Sequence, residues 1–130
     1  METSIFQRIV LLSTATVLLA AQDTIIQGTY KGQWTGSTAN GDIHMTFRDA
    51  GDGKLTPEVG FTLGGTDVAC KVLSFKIDGA TFKVVYEFDA QGTPLQSALE
   101  ASVKGKSIEG TYKTTAGDQA VDSGTFKATM

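Results

Sequence analysis

The chain has 130 residues, with 11 basic and 14 acidic side chains, a formal net charge of −3, one cysteine and one histidine. So small an acidic excess, spread without runs, leaves no basic footprint for nucleic acid or an anionic lipid surface. A single Cys70 rules out an intramolecular disulfide, and a single His44 leaves a histidine metal site or a nucleophile–base pair without its second member.

The chain opens METSIFQRIVLLSTATVLLAAQ, with Arg8 ahead of an apolar run from Ile9 to Ala21 and the polar pair Gln22-Asp23 after it. The order basic, apolar, small predicts a cleavable secretory signal over residues 1–21. The run is shorter than the roughly 20 residues of a permanent spanning helix, and no cysteine follows it to carry a lipid. Cleavage after Ala20 or Ala21 would leave one domain, residues 22–130, secreted or periplasmic and free of the membrane.

From Thr24 onward apolar residues recur at every second position and glycines punctuate the chain at short intervals, which predicts strands joined by hairpins. Eight strands are expected, over 25–37, 42–49, 54–63, 67–77, 80–89, 95–104, 107–115 and 123–129. The turns between them are marked by Asp52-Gly53, Gly64-Gly65, Asp78-Gly79, Gln91-Gly92-Thr93-Pro94, Gly105-Lys106 and the loop from Ala116 to Asp122. Connections this short permit an antiparallel meander and leave no room for parallel crossovers.

In the first strand Gly28, Tyr30, Gly32, Trp34 and Gly36 share one face, while Thr29, Lys31, Gln33 and Thr35 share the other. The alternation persists along the chain, with Val85 as an apolar residue on the outer face. In the fourth strand, Val68 and Cys70 fall on one parity and Leu73, Phe75 and Ile77 on the other, so a bulge is expected near Lys71-Val72. With that slip, all ten aromatic residues after residue 24 face inward: Tyr30, Trp34, Phe47, Phe61, Phe75, Phe82, Tyr86, Phe88, Tyr112 and Phe126. A meander with one apolar face hides it by closing into a small barrel or by folding into a β-sandwich.

The tetrapeptide GTYK at 28–31 recurs at 110–113 and, as GTFK, at 124–127. In each copy the glycine and the ring face inward, as a sharply coiled strand at a closing seam requires. The first and last strands are therefore expected to pair. The spacings share no period, which disfavours a tandem repeat.

The pair Gly28-Thr29-Tyr30 and Gly32-Gln33-Trp34 ahead of a meander resembles the lipocalin and avidin class of small secreted β-barrels, the calycin type. The ending IEGTYK…GTFK is also similar to small secreted bacterial domains with a G-x-W opening and a G-T-Y ending. The resemblance implies an eight-stranded barrel with a pocket at one mouth for a small apolar ligand. Two features depart from it: Lys127, the nearest equivalent of the arginine that lipocalins pack over the first-strand tryptophan, points outward, and one tryptophan is too few for an avidin-type biotin site.

Among chemical candidates, His44 sits on the solvent parity and Cys70 among small and branched residues, a setting for an inert thiol. Asp49, Asp52 and Glu58 miss the calcium-loop spacing. Asp118 and Asp122 read as part of a solvated turn. Nearly all carboxylates fall on outward or turn positions, which argues against an enzyme, and no cofactor is indicated. The aromatic interior remains: a packed core, or a pocket lined by Tyr30, Trp34, Phe61, Phe75, Tyr86, Phe88 and Tyr112, whose polar tips would orient a ligand. The expectation is a non-enzymatic binder of a small apolar or aromatic molecule. The alternative is a structural or protein-interaction module of the cell envelope, with a dry core and its working surface on the Thr- and Lys-rich outer faces. The sequence leaves the oligomeric state open.

Overall fold

The computed structural model describes residues 27–51 and 54–130. The expected signal segment, the start of the first strand and the Asp52-Gly53 turn lie outside the described residues. Nine strands follow one another: β1 (Gly28–Gly36), β2 (Asn40–Asp49), β3 (Leu55–Leu63), β4 (Thr66–Ala69), β5 (Lys71–Asp78), β6 (Thr81–Ala90), β7 (Thr93–Lys104), β8 (Ser107–Ala116) and β9 (Gln119–Thr129). They form one antiparallel sheet in the order β4-β3-β2-β1-β9-β8-β7-β6-β5, curled strongly into a half-barrel. Where a two-residue turn needs left-handed backbone, Gly64 and Gly65 supply it with φ of 60° and 81°.

The strand expected over 67–77 is divided in two. Its first part, β4, pairs with β3, and its second, β5, pairs with β6, so the chain changes partners at Cys70. β4 and β5 are the two edges of the sheet, and among the described residues one amino acid, rather than a hydrogen-bonded ladder, joins them. The register slip comes between Val72 and Ser74, slightly beyond its expected place. It turns Leu73 outward, where it is 45% exposed, and leaves Val72 and Phe75 packed against the core. Ile77, expected inside, is 46% exposed near the end of this edge strand.

The other expected parities appear in the burial. Eight of the ten aromatic side chains are buried, and Phe75 and Phe88 pack half-buried against them. β1 and β9 pair, with Phe126 opposite Trp34 and Ala128 opposite Gly32. The two C-terminal copies of the tetrapeptide lie antiparallel on β8 and β9, so that Gly110 faces Phe126, Thr111 faces Thr125 and Tyr112 faces Gly124. Each glycine thus stands opposite the ring of the other copy. In β1, Gly28 likewise faces Phe47.

Three of these glycines are needed for close approach of backbones. A Cβ on Gly110 would stand 2.8 Å from Ala101 Cα and closer still to the Glu100 carbonyl oxygen. One on Gly124 would meet the Thr35 carbonyl oxygen and stand 2.7 Å from Gly36 Cα, and one on Gly32 would meet the backbone of Lys127 and Ala128. Backbone atoms cannot rotate away as a flexible side chain can, so an added methyl group must push the strands apart. On the outer face the exposed His44 ring lies over buried Gly60, where a Cβ would meet a side chain and not a backbone.

A Gly110→Val variant is therefore expected to lose at least about 2 kcal/mol in urea melts, while Thr111→Val, on the exposed face, should stay within about 0.5 kcal/mol of the parent. Equal losses would contradict the assignment of faces.

Candidate functional site

Inside the curl the two ends differ. At the end that holds the termini of β1 and β9, Tyr30, Phe47, Phe75 and Phe82 form a solid cluster. Tyr30 meets Phe47 edge-on at 5.7 Å, and Phe47, Phe75 and Phe82 stack in tilted contacts at 5.4 to 5.9 Å. Met45 and Ile108 complete the fill, both fully buried.

At the opposite end, beneath the β1–β2 and β8–β9 turns, lies a cavity of about 140 Å³. One wall is apolar: Trp34, Ile43, Phe61, Leu63 and Phe88, with Ala39 and Leu95 at the rim. Trp34 is held edge-on against Phe61 and Tyr112, both at 6.0 Å, and Phe61 against Phe88 at 4.9 Å. The indole reaches over β2 to donate from Nε1 to the Thr62 carbonyl oxygen on β3, at 3.1 Å. Gly41, opposite Trp34, makes this reach possible, since a Cβ there would stand 2.8 Å from Nε1.

The other wall is polar. Tyr86 on β6, Ser97 on β7, Thr114 on β8 and Asp122 on β9 are successive cross-strand partners, forming one inward row across four strands. Ser97 Oγ and Thr114 Oγ1 share a hydrogen bond of 2.6 Å. Ser97 and Thr114 are the two buried polar residues of the described core. Burial foremost, and Cys70 next to it, raise the Tyr86 hydroxyl above its ordinary value.

Asp122 is the one charged side chain of the lining. Its Oδ1 accepts from Ser37 N at 3.0 Å and from Ser37 Oγ at 2.7 Å, while Oδ2 accepts from the Tyr112 hydroxyl at 2.8 Å. The carboxylate thereby ties the β1–β2 turn to β8 and β9. Gly36 leaves room for the joint, because a Cβ there would strike both the Tyr112 hydroxyl and Asp122 Oδ2. Partial burial would raise the Asp122 carboxyl, but the bonds from Ser37, Tyr112 and the Ser123 backbone outweigh it and hold the group below its ordinary value. Tyr112 is displaced upward, by burial first and then by its bond to Asp122.

Of the sequence-derived candidates, Trp34, Phe61, Tyr86, Phe88 and Tyr112 come together around this cavity, whereas Tyr30 and Phe75 belong to the solid cluster at the other end. Asp122, read from the sequence as part of a solvated turn, stands instead on the inward row of β9, which begins four residues earlier than expected. A bulge between Ala120 and Asp122 sets its direction. Ser97 and Thr114 were overlooked, although both share parity with inward neighbours, Leu99 and Tyr112.

Cys70 lies outside the cavity, half-buried at the joint between the edges, where burial pushes its thiol up to about 12. Such a thiol is a poor nucleophile at neutral pH. Among the described residues no three His, Cys, Asp or Glu side chains converge as metal ligands would. No protein-family model, curated protein or solved structure matches the chain.

The pKa displacements fix two limits of stability. Asp122, lowered by folding, contributes stability that is present above its unfolded value of 3.8 and lost as pH falls through its lower folded value. Replacement by Asn should cost about 1–2 kcal/mol at pH 7, and the gap from the parent should shrink in melts as pH drops below about 4. Tyr86, Tyr112 and Cys70, all raised, contribute stability present below their unfolded values of 10.0, 10.0 and 9.0. Melts should weaken as pH climbs beyond about 9 to 10, towards the raised folded values.

Proposed function

We propose that this protein is a non-enzymatic binder of a small apolar or aromatic molecule, working outside the cytoplasm after loss of its N-terminal signal. The observation that carries the reading is the cavity of about 140 Å³, walled by five aromatic side chains at one end of the curled sheet. An apolar cavity of roughly 150 Å³ stays dry in an engineered protein and takes up benzene, so a single ring is the right scale. Aromatic walls with a few convergent polar groups are the common composition of a small-molecule site. The calycin-like opening around Gly32-Gln33-Trp34 points the same way.

Binding accounts for this lining better than catalysis. A general acid needs a carboxyl raised towards neutrality, whereas Asp122 is displaced downward and its oxygens are occupied by Ser37 and Tyr112. Hydroxyls buried in a row can orient a ligand without reacting with it.

The test is titration of the folded protein with benzene and with toluene, followed through the indole N–H resonance of Trp34, the only tryptophan. Saturable one-to-one binding that shifts this resonance is expected, and Trp34→Phe, read by calorimetry, should weaken it several-fold. Failure of both rings to bind would leave the alternative of an envelope interaction module acting through its outer faces.

A further inference from the structure

The cavity is two-sided, and its sides bear on which ring would enter it. Ser97 and Thr114 bring two hydroxyl groups, each with one proton to donate and lone pairs to accept. One hydrogen bond joins them, Ser97 Oγ to Thr114 Oγ1 at 2.6 Å. Two protons meet one bond, so one O–H of the pair is left for a further acceptor. Ser97 is 2% and Thr114 5% exposed, and both line the cavity. Leaving a buried donor unmet costs free energy that a ligand oxygen placed there would recover.

Asp122 closes the other end of the row. Its four hydrogen-bond donors, two from Ser37, one from Tyr112 and one from the Ser123 backbone, match the roughly four lone-pair sites of a carboxylate. It therefore has little left to offer an ammonium group. Its negative charge, unmatched by any cation in the lining, repels an anion.

We propose that the cavity selects a neutral single-ring molecule carrying one hydroxyl or carbonyl oxygen, with the ring against Trp34, Phe61 and Phe88 and the oxygen on the Ser97–Thr114 hydroxyl pair. This rests on the binding function proposed above and adds a rule of selection to it. Phenolic and cyclic-ketone chemistries satisfy the rule; aromatic acids and amines do not. The hydroxyl pair then serves as the specificity element, and the aromatic wall supplies most of the affinity.

Four probes of one ring size separate the claims: benzene, phenol, benzylamine as its cation and benzoate, each titrated against the full folded protein at pH 7 through the Trp34 indole resonance. Phenol is expected to bind roughly five- to tenfold tighter than benzene, the worth of one buried hydrogen bond, with benzylamine and benzoate both weaker than benzene. The double variant Ser97→Ala/Thr114→Val, which removes both hydroxyls, should bring phenol to within about twofold of benzene. Should the double variant fail to fold, the conservative Thr114→Ser, which keeps both hydroxyls, should retain the preference, and its loss there would overturn the proposal.

If benzene binds and phenol binds no better, the selection rule falls and the binding function stands. Benzylamine as the tightest ligand would transfer recognition to Asp122 and overturn the proposal, as would benzoate binding tighter than benzene. Failure of all four probes to bind would remove the binding function itself, and this inference with it.

Discussion

At Gly32, Gly110 and Gly124 the backbone of the neighbouring strand occupies the space that a Cβ would need, and the rest of the structure depends on that intimacy. β1 is seated against β9 by Gly32 and Gly124, and β8 against β7 by Gly110. Strands that approach so closely turn the sheet sharply, and a sharply turned sheet can bring its apolar face round on itself. The rings then supply the volume that the glycines give up. Phe126 stands opposite Gly110, Tyr112 opposite Gly124, Trp34 opposite Gly41 and Phe47 opposite Gly28. Large and small side chains alternate across the inner face, as interiors of small barrels require.

The repeated tetrapeptide is a compact statement of this rule. Two copies running antiparallel and centred on Thr111 and Thr125 place each glycine beneath the opposing ring, and the threonines and lysines fall outside. The same pairing sets up the site. Tyr112 crosses towards β1 until its hydroxyl meets Asp122 above Gly36, and Trp34 crosses β2 above Gly41 to the Thr62 carbonyl. Positions that lack a side chain thus decide where the functional ones end.

Much of this was legible in the residue order because the period of a strand is two. Parity, with one slip allowed in the fourth strand, put all ten rings on one face, and glycine with ring parity in the first and last strands was enough to expect their pairing. Sequence could not say that the residues from 67 to 77 change partner at Cys70, since the choice between β3 and β6 is made by the curvature of the whole sheet and leaves no local mark. Nor could it separate Tyr30 and Phe75 from the rings around the cavity, because inward parity carries no information about height along the interior. Asp122 was misplaced for a different reason. A carboxylate after a Gly-Asp turn reads as solvated, and only the partners gathered from Ser37 and Tyr112, 85 and 10 residues away in sequence, make an inward position tolerable. Ser97 and Thr114 were within reach of parity but were passed over in favour of rings.

The single-residue link at Cys70 has a topological corollary. Read across the sheet from β5 to β4, the strands follow the order 5, 6, 7, 8, 9, 1, 2, 3, 4, which is the chain order rotated rather than shuffled. At the far end of the molecule, Gly28 lies so near the Met130 side chain that a Cβ there would come within 2.9 Å of it. A polypeptide begun at Lys71, with Met130 joined to Gly28 by a short peptide and ended at Ala69, would trace every neighbouring pair of strands in unbroken succession. For this architecture the place where the backbone starts is a convention of synthesis, and the sheet itself is indifferent to it.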